Sequence, residues 1–112
     1  MRKSKLNEIS DRDFFQEVYM VVEKIPYGKV TTYGAIAEAC GIKSSARTVG
    51  WALNNAKETG LPCHRVVNRF GALTGKLYFG DPHLMKELLI NEGIEFDKND
   101  CVIMERYFWE PK

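Results

Sequence analysis

Short helical patterns, each ended by a proline or a glycine, constrain the fold of this chain most strongly. Apolar side chains recur at helical spacing over residues 14–24, and Pro26 ends that pattern because proline cannot continue a helix. The patterns over residues 33–40 and 84–92 end at Gly41 and Gly93, residues that readily take the left-handed conformation of a helix C-terminus. The sequence therefore predicts several short helices packed together.

Capping signals predict where these helices begin. The signals are Ser10 with Asp13, Thr31 or Thr32, Ser44 or Ser45, and Asp81 with Pro82. The third helix is predicted to run to about Ala56. Val66-Val67 is a candidate strand, and residues 101–109 are a candidate strand or closing segment. The predicted fold class is thus mostly α with a small β element.

Length and composition limit the kind of protein. A chain of 112 residues predicts a single domain, 1–112, large enough to form a core without metal or disulfide cross-links. Its uncharged apolar runs are too short to span a bilayer, so no membrane association is expected. Three widely spaced cysteines indicate a reducing compartment rather than a disulfide framework. We expect a cytoplasmic protein, nucleoid-associated if the source is bacterial.

Charge is unevenly distributed along a chain whose net charge is only +1. Residues 40–80 carry six basic side chains and one acidic side chain, whereas residues 81–112 carry four basic and eight acidic ones. A basic middle segment is typical of one binding face for an anionic partner. Chance unevenness in a short chain is the alternative.

The second and third predicted helices resemble a helix-turn-helix, in which the second helix enters a DNA groove. One stripe of the third helix, at positions i, i+3, i+4 and i+7, contains Arg47, Gly50, Trp51 and Asn54. A separate apolar stripe suits the core and contains Val49, Ala52, Leu53 and Ala56. A plain helical hairpin explains the same pattern equally well.

Cys63 and His64 stand side by side, and three roles for the cysteine are open. A metal site needs more Cys or His ligands at close spacing than His64 and the distant His83 supply. A buried, inert cysteine is the ordinary role of a single thiol. A nucleophile needs a base or cations nearby, and His64 and Arg65 are candidates for these.

Four motifs in this chain resemble those of the O6-alkylguanine-DNA alkyltransferases, and they occur in the same order. They are IPYGKVTTYGAIA at residues 25–37, ARTVG at 46–50, PCHRVVN at 62–68 and KELLINEG at 86–93. Together they cover about residues 13–95, and PCHRVV is similar to the active-site signature of that family. This resemblance makes a nucleophilic Cys63 the leading interpretation.

The resemblance implies a winged-helix-like domain that binds duplex DNA containing O6-alkylguanine in the minor groove and flips the damaged base. Arg47 is similar to the arginine that fills the space left by the base. Tyr33 is similar to the tyrosine that helps rotate the nucleotide. The predicted DNA contacts are Thr32, Tyr33, Ser45, Arg47, Gly50, Trp51, Asn54 and Arg65.

The resemblance also implies single-turnover chemistry by a monomer without metal or organic cofactor. Cys63 accepts the alkyl group, His64 deprotonates it through a water, and Glu92 orients the histidine. Tyr33 can protonate the departing guanine at N3. Asn55, eight residues before the cysteine, is similar to the asparagine that braces the active-site turn.

Two features differ from typical alkyltransferases. The family's additional N-terminal domain is not expected here, and the G-x-Y-x-G-G loop after the signature is replaced by residues 73–80, LTGKLYFG. Both features are similar to alkyltransferase-like proteins, which bind the lesion without transferring the group and recruit nucleotide excision repair proteins. Such proteins usually have Trp or Ala where this chain has Cys63. Three hypotheses follow: a suicide alkyltransferase, a non-enzymatic lesion sensor, and an unrelated DNA-binding module.

Overall fold

The computed structural model describes residues 14–41, 46–56, 59–74 and 83–111. Helices within these ranges are α1 (14–23), α2 (Tyr33–Ala39), α3 (Ala46–Asn54), α4 (Leu84–Asn91) and α5 (Met104–Tyr107). The strands are β1 (Thr31–Thr32) and β2 (Val66–Val67), and a 3₁₀ turn covers Cys63–Arg65. The predicted fold class, mostly α with a small β element, is confirmed. That residues 1–112 form a single domain stays a prediction.

Helix boundaries follow the local signals of the sequence. The Thr32 hydroxyl caps α2 by accepting a hydrogen bond from the Ala35 amide at 3.0 Å. Gly41 and Gly93, which follow α2 and α4, have φ angles of +69° and +86°. The third helix ends at Asn54, two residues before the predicted end. The predicted caps at Ser10, Ser44 or Ser45, and Asp81 lie outside the described residues.

The small sheet joins the second helix to the segment that follows the Cys63 turn. β1 and β2 are parallel, with Thr31 opposite Val66 and Thr32 opposite Val67. Val30, just before β1, bonds to the C-terminal segment through the amide and carbonyl of its own backbone, at 2.9 Å and 2.7 Å. Residues 101–109 thus close the structure with α5 and isolated bridges rather than with a regular strand.

Buried side chains form two apolar clusters. The first packs α1, α2 and α3 around the Cys63 turn and includes Val18, Val22, Ile36, Val49, Leu53 and Cys63. The second lies under α4 and the C-terminal segment and includes Val30, Val67, Met85, Leu89, Ile94 and Val102. β2 contributes to both, with Val66 in the first cluster and Val67 in the second, because successive residues of a strand face opposite sides.

α2 and α3 pack against each other, as a helix-turn-helix requires. The connecting residues 42–45 lie outside the described ranges, so the helix-turn-helix itself stays a prediction. No helix in the part of the chain that the structure describes is long and apolar enough to cross a membrane.

We expect Gly71→Ala to destabilise the fold sharply, because φ at Gly71 is +89° and an added Cβ would lie 2.5 Å from the Val102 carbonyl oxygen. The loss in the free energy of unfolding should exceed about 2 kcal/mol, as measured by urea denaturation. Gly60→Ala is the matched control, since φ is +84° there and the added Cβ meets nothing within 4 Å. Equal losses for the two variants would show that the contact with Val102 is unimportant.

Candidate functional site

The 3₁₀ turn separates Cys63 and His64, which are adjacent in sequence. The Cys63 amide donates to the Leu61 carbonyl at 2.7 Å, and the Arg65 amide donates to the Pro62 carbonyl at 3.0 Å. This tight geometry turns the Cys63 side chain into the first apolar cluster and brings His64 to Glu92. A turn therefore gives the two neighbours different surroundings within a single segment.

Cys63 is buried, with only 5% of its surface exposed. Burial raises the pKa of its thiol to about 11, because an apolar environment disfavours the thiolate. The group is therefore protonated at neutral pH in the protein without DNA. Any reaction of the sulfur requires a base that takes this proton.

Glu92, at the end of α4, accepts hydrogen bonds from three residues in two parts of the chain. Its carboxylate lies 2.7 Å from His64 Nε2, 2.8 Å from the Gly28 amide, and 2.9 Å from Arg65 Nη2. Burial alone would raise its pKa, but the hydrogen bonds from Arg65, His64 and Gly28 outweigh burial and hold the pKa below its ordinary value. Glu92 is therefore ionised at neutral pH.

The ionised carboxylate also determines the tautomer of His64. A carboxylate can only accept, so His64 Nε2 carries the hydrogen in this contact. In the neutral imidazole the lone pair is then on Nδ1, and that nitrogen can take a proton. The sequence placed Glu92 and His64 together through family resemblance, and the structure brings them into direct contact.

Arg65 was predicted to contact DNA, but the structure gives its guanidinium internal partners. Nε and Nη2 donate to Glu92 at 2.9–3.1 Å, and Nη1 donates to the Ile25 carbonyl at 2.9 Å. The exposed ring of Tyr27 covers the guanidinium, with 5.6 Å between the ring centroid and Cζ. A buried carboxylate attracts the cation more strongly than solvent does, so Arg65 faces inward.

The two predicted stripes of α3 are confirmed. Val49, Ala52, Leu53 and Ala56 are buried, whereas Arg47, Trp51 and Asn54 are exposed and Gly50 is half-buried. The Arg47 guanidinium lies over the Trp51 ring, with 5.4 Å between Cζ and the ring centroid. A cation, an indole and an amide thus share the outer face of α3.

The remaining predicted site residues have various surroundings. Tyr33 is half-buried at the start of α2 and packs on the first apolar cluster, and Thr32 uses its hydroxyl to cap that helix. Asn55 donates from its amide to the Trp51 carbonyl at 3.1 Å, within the end of α3, rather than to the Cys63 turn. Ser45 and residues 75–80 of the LTGKLYFG segment lie outside the described residues.

Tyr19 belongs to the surroundings of Cys63, and sequence reasoning missed it. Its hydroxyl donates to the Ala52 carbonyl at 2.9 Å and so ties α1 to α3. Burial, followed by the negative charge that Cys63 would carry as a thiolate, raises the Tyr19 pKa. No motif marks this residue, since it occupies an ordinary position in an apolar helical pattern.

No metal site is evident where the structure describes the chain, since no three His, Cys, Asp or Glu side chains come close enough together to hold an ion. The cysteines in these ranges are free thiols. The Cys63, His64 and Glu92 arrangement supplies a thiol, a base and an orienting carboxylate, which together suit nucleophilic chemistry.

We expect the stability of the protein to fall as the pH rises from about 9 to 11. The unfolded chain loses the Cys63 proton near the ordinary pKa of about 9, whereas the folded protein retains it until about pH 11. The unfolded state therefore binds fewer protons in this window, and the loss should reach roughly 2–3 kcal/mol.

The measurement compares urea unfolding of the wild type and Cys63→Ala at several alkaline pH values under reducing conditions. The difference between the two proteins isolates Cys63 from the other groups that titrate there. Cys101→Ala, in a surface segment, should keep the slope of the wild type. Parallel curves for the wild type and Cys63→Ala would contradict the raised pKa.

Known proteins are similar to this chain in sequence and in fold. A Schizosaccharomyces pombe protein named alkyltransferase-like protein 1 is 36% identical over 104 residues, which cover 88% of this chain and 96% of that protein. A Vibrio parahaemolyticus DNA base-flipping protein is 38% identical over 99 residues, covering 88% and 97%. A constitutive methylated-DNA–protein-cysteine methyltransferase of Bacillus subtilis is 40% identical over 79 residues, covering 70% and 47%.

A solved structure shows the same fold. The crystal structure of S. pombe Atl1 in complex with damaged DNA containing O6-carboxymethylguanine matches with a TM-score of 0.76 and 36% identity, covering 89% of this chain and 97% of that chain. The profile of the family described as 6-O-methylguanine DNA methyltransferase, DNA binding domain, matches residues 13–94. The chain therefore belongs to the 6-O-methylguanine DNA methyltransferase DNA-binding domain family.

Proposed function

We propose that this protein binds duplex DNA at O6-alkylguanine, turns the damaged base out of the stack and accepts its alkyl group on Cys63. The observation that carries the proposal is the 2.7 Å contact between Glu92 and His64, the residue that follows the buried Cys63 in the same turn. Relatives named for base flipping and for methyl transfer to a protein cysteine support the same assignment.

The outer face of α3 is the proposed DNA-binding surface. Arg47 is exposed there, and its planar cation can enter the space that an extruded base leaves in the duplex. Asn54 lies two turns further along the same face and can bond to the groove or the backbone. Tyr33, at the start of the packed helix α2, is proposed to guide the rotating nucleotide toward Cys63.

Alkyl transfer then requires a thiolate and a protonated leaving base. His64 takes the thiol proton, through a water, on Nδ1, because Nε2 is occupied by Glu92. The sulfur attacks the alkyl carbon, the C–S bond forms, and the C–O bond breaks with its electron pair going to guanine. Guanine gains a proton, for which the Tyr33 phenol is the proposed donor. The products are a thioether and an undamaged guanine, so no oxidant or cofactor is consumed.

The buried, protonated thiol is the observation that favours a second candidate function. A cysteine with a pKa of about 11 is a poor nucleophile until His64 removes its proton, so binding can occur without transfer. A relative is named alkyltransferase-like protein 1. On this alternative the protein senses the lesion and recruits other proteins, for example those of nucleotide excision repair.

Both candidate functions have the same cellular setting. A DNA partner requires a compartment that contains DNA, and three free cysteines fit reducing conditions. A cytoplasmic location, and a monomeric state on DNA, remain our predictions.

Incubation with duplex DNA containing O6-methylguanine should methylate Cys63. Mass spectrometry of the digested protein should find the peptide that contains Cys63 heavier by one CH₂ group, because a methyl group replaces the thiol hydrogen. His64→Ala should slow the appearance of this peptide at unchanged DNA binding, since the base is lost and the binding surface is kept.

Cys40 and Cys101 provide controls within the same molecule, because their peptides should keep their original masses. An unmodified Cys63 together with selective binding of the lesion would exclude the transfer reaction and leave the sensor. Equal binding of alkylated and unmodified duplexes would reject both candidate functions.

Arg47→Ala should weaken binding to duplex DNA containing O6-methylguanine by about tenfold, because no side chain then fills the space that the extruded base leaves in the duplex. Fluorescence anisotropy with labelled DNA at fixed salt measures the dissociation constant.

Arg106→Ala is the matched control, since it also removes one positive charge from an exposed side chain. Arg106 lies on α5, where its guanidinium pairs with Glu95. If both variants lose affinity equally, only net charge matters, and the proposed insertion of Arg47 is incorrect.

A further inference from the structure

Trp51 is exposed in a way that the core does not explain. The residue is 55% exposed on the outer face of α3, whereas the buried face of that helix is filled by other residues. An indole of this size could bury a large apolar area, so exposure gives up substantial hydrophobic stabilisation. Its position calls for a reason outside the core.

The partner of the indole is Arg47, one helical turn earlier. Residues at i and i+4 are neighbours on a helix, and a long side chain leans toward the N-terminus over the preceding turn. Trp51 therefore covers the place from which Arg47 extends, and 5.4 Å separate the guanidinium carbon from the ring centroid. This distance falls within the range of a cation–π contact.

The backbone of Trp51 is also held firmly. Its carbonyl accepts a hydrogen bond from the Asn55 side-chain amide at 3.1 Å and another from the Asn55 backbone amide at 3.2 Å. The residues on either side of this stripe, Val49 and Ala52, are fully buried. The indole thus stands on a rigid support, although the ring itself faces solvent.

We propose that Trp51 is a positioning residue for Arg47. The indole holds the planar guanidinium in one orientation before DNA binds. A free arginine side chain loses much rotamer freedom when it is inserted into a duplex. Stacking on Trp51 removes part of that freedom in advance, so less is lost on binding. This inference rests on the proposed insertion of Arg47 and explains how the chain prepares it.

A double-mutant cycle on the full chain tests the proposal. Dissociation constants for duplex DNA containing O6-methylguanine are measured for the wild type, Trp51→Ala, Arg47→Ala and the double variant. Trp51→Ala alone should weaken binding about two- to fivefold, which corresponds to an exposed cation–π contact. This role replaces the direct DNA contact that the sequence predicted for Trp51. In the Arg47→Ala background the same change should therefore have almost no effect, because Trp51 acts through Arg47.

The salt dependence gives a second readout. Trp51→Ala should leave the slope of log Kd against log salt unchanged, because no phosphate contact is lost. Trp51→Phe should recover part of the affinity by keeping an aromatic face. A loss of DNA affinity that persists in the Arg47→Ala background would mean that Trp51 contacts DNA directly. Unchanged or tighter binding by Trp51→Ala would mean that stacking does not help. Each of these results overturns the proposal.

A measurement without DNA separates this inference from the proposed function. The chain has two tryptophans, so Trp109→Phe leaves Trp51 as the sole indole emitter. Arg47→Ala in that background should shift or intensify the emission, because the stacked cation is removed, whereas Arg106→Ala should not. Unaltered emission refutes the stacking whatever the DNA does. Clear emission changes with no lesion selectivity in the wild type would instead reject the proposed function and, with it, the positioning role.

Discussion

The carboxylate of Glu92 is the contact on which the site depends. Glu92 caps the C-terminus of α4. Its carboxylate binds the Gly28 amide before β1, His64 in the 3₁₀ turn and the Arg65 guanidinium. These partners are 27 to 64 residues away in sequence. One buried side chain thus connects three segments of the chain, and it orients the imidazole at the same time.

Arg65 changes the electrostatics of this arrangement. With a carboxylate and a guanidinium in direct contact, the net charge next to His64 is close to zero rather than negative. The carboxylate is therefore shared, because its Oε2 atom binds the Arg65 guanidinium and also orients the His64 imidazole. The same contacts direct the Arg65 guanidinium toward the interior of the protein.

Local sequence signals predicted the helices well, and pairwise contacts across the chain poorly. Pro26, Gly41 and Gly93 act through their own backbone conformation, so their effect is visible in the sequence. Periodicity likewise separated the buried and exposed faces of α3. The inward direction of Arg65 depends on a carboxylate 27 residues later, and no local pattern contains that information.

The same distinction applies within the candidate site. Family resemblance named Cys63, His64 and Glu92, but it carried no information about Tyr19, whose hydroxyl bonds to a carbonyl of α3. It also suggested that Asn55 braces the Cys63 turn, whereas the side-chain amide of Asn55 bonds within its own helix end. Spacing identifies the chemical groups, while the packing of distant helices determines which of them touch.

The hydrogen bond from Tyr19 to Ala52 has a geometric consequence. It joins α1 to the helix that carries Arg47, and Cys63 lies in the apolar cluster between those two helices. Moving α3 away from α1 would therefore break a hydrogen bond that spans 33 residues, as well as open the apolar cluster. A displacement of the helix that carries Arg47 would thus disturb the packing around Cys63.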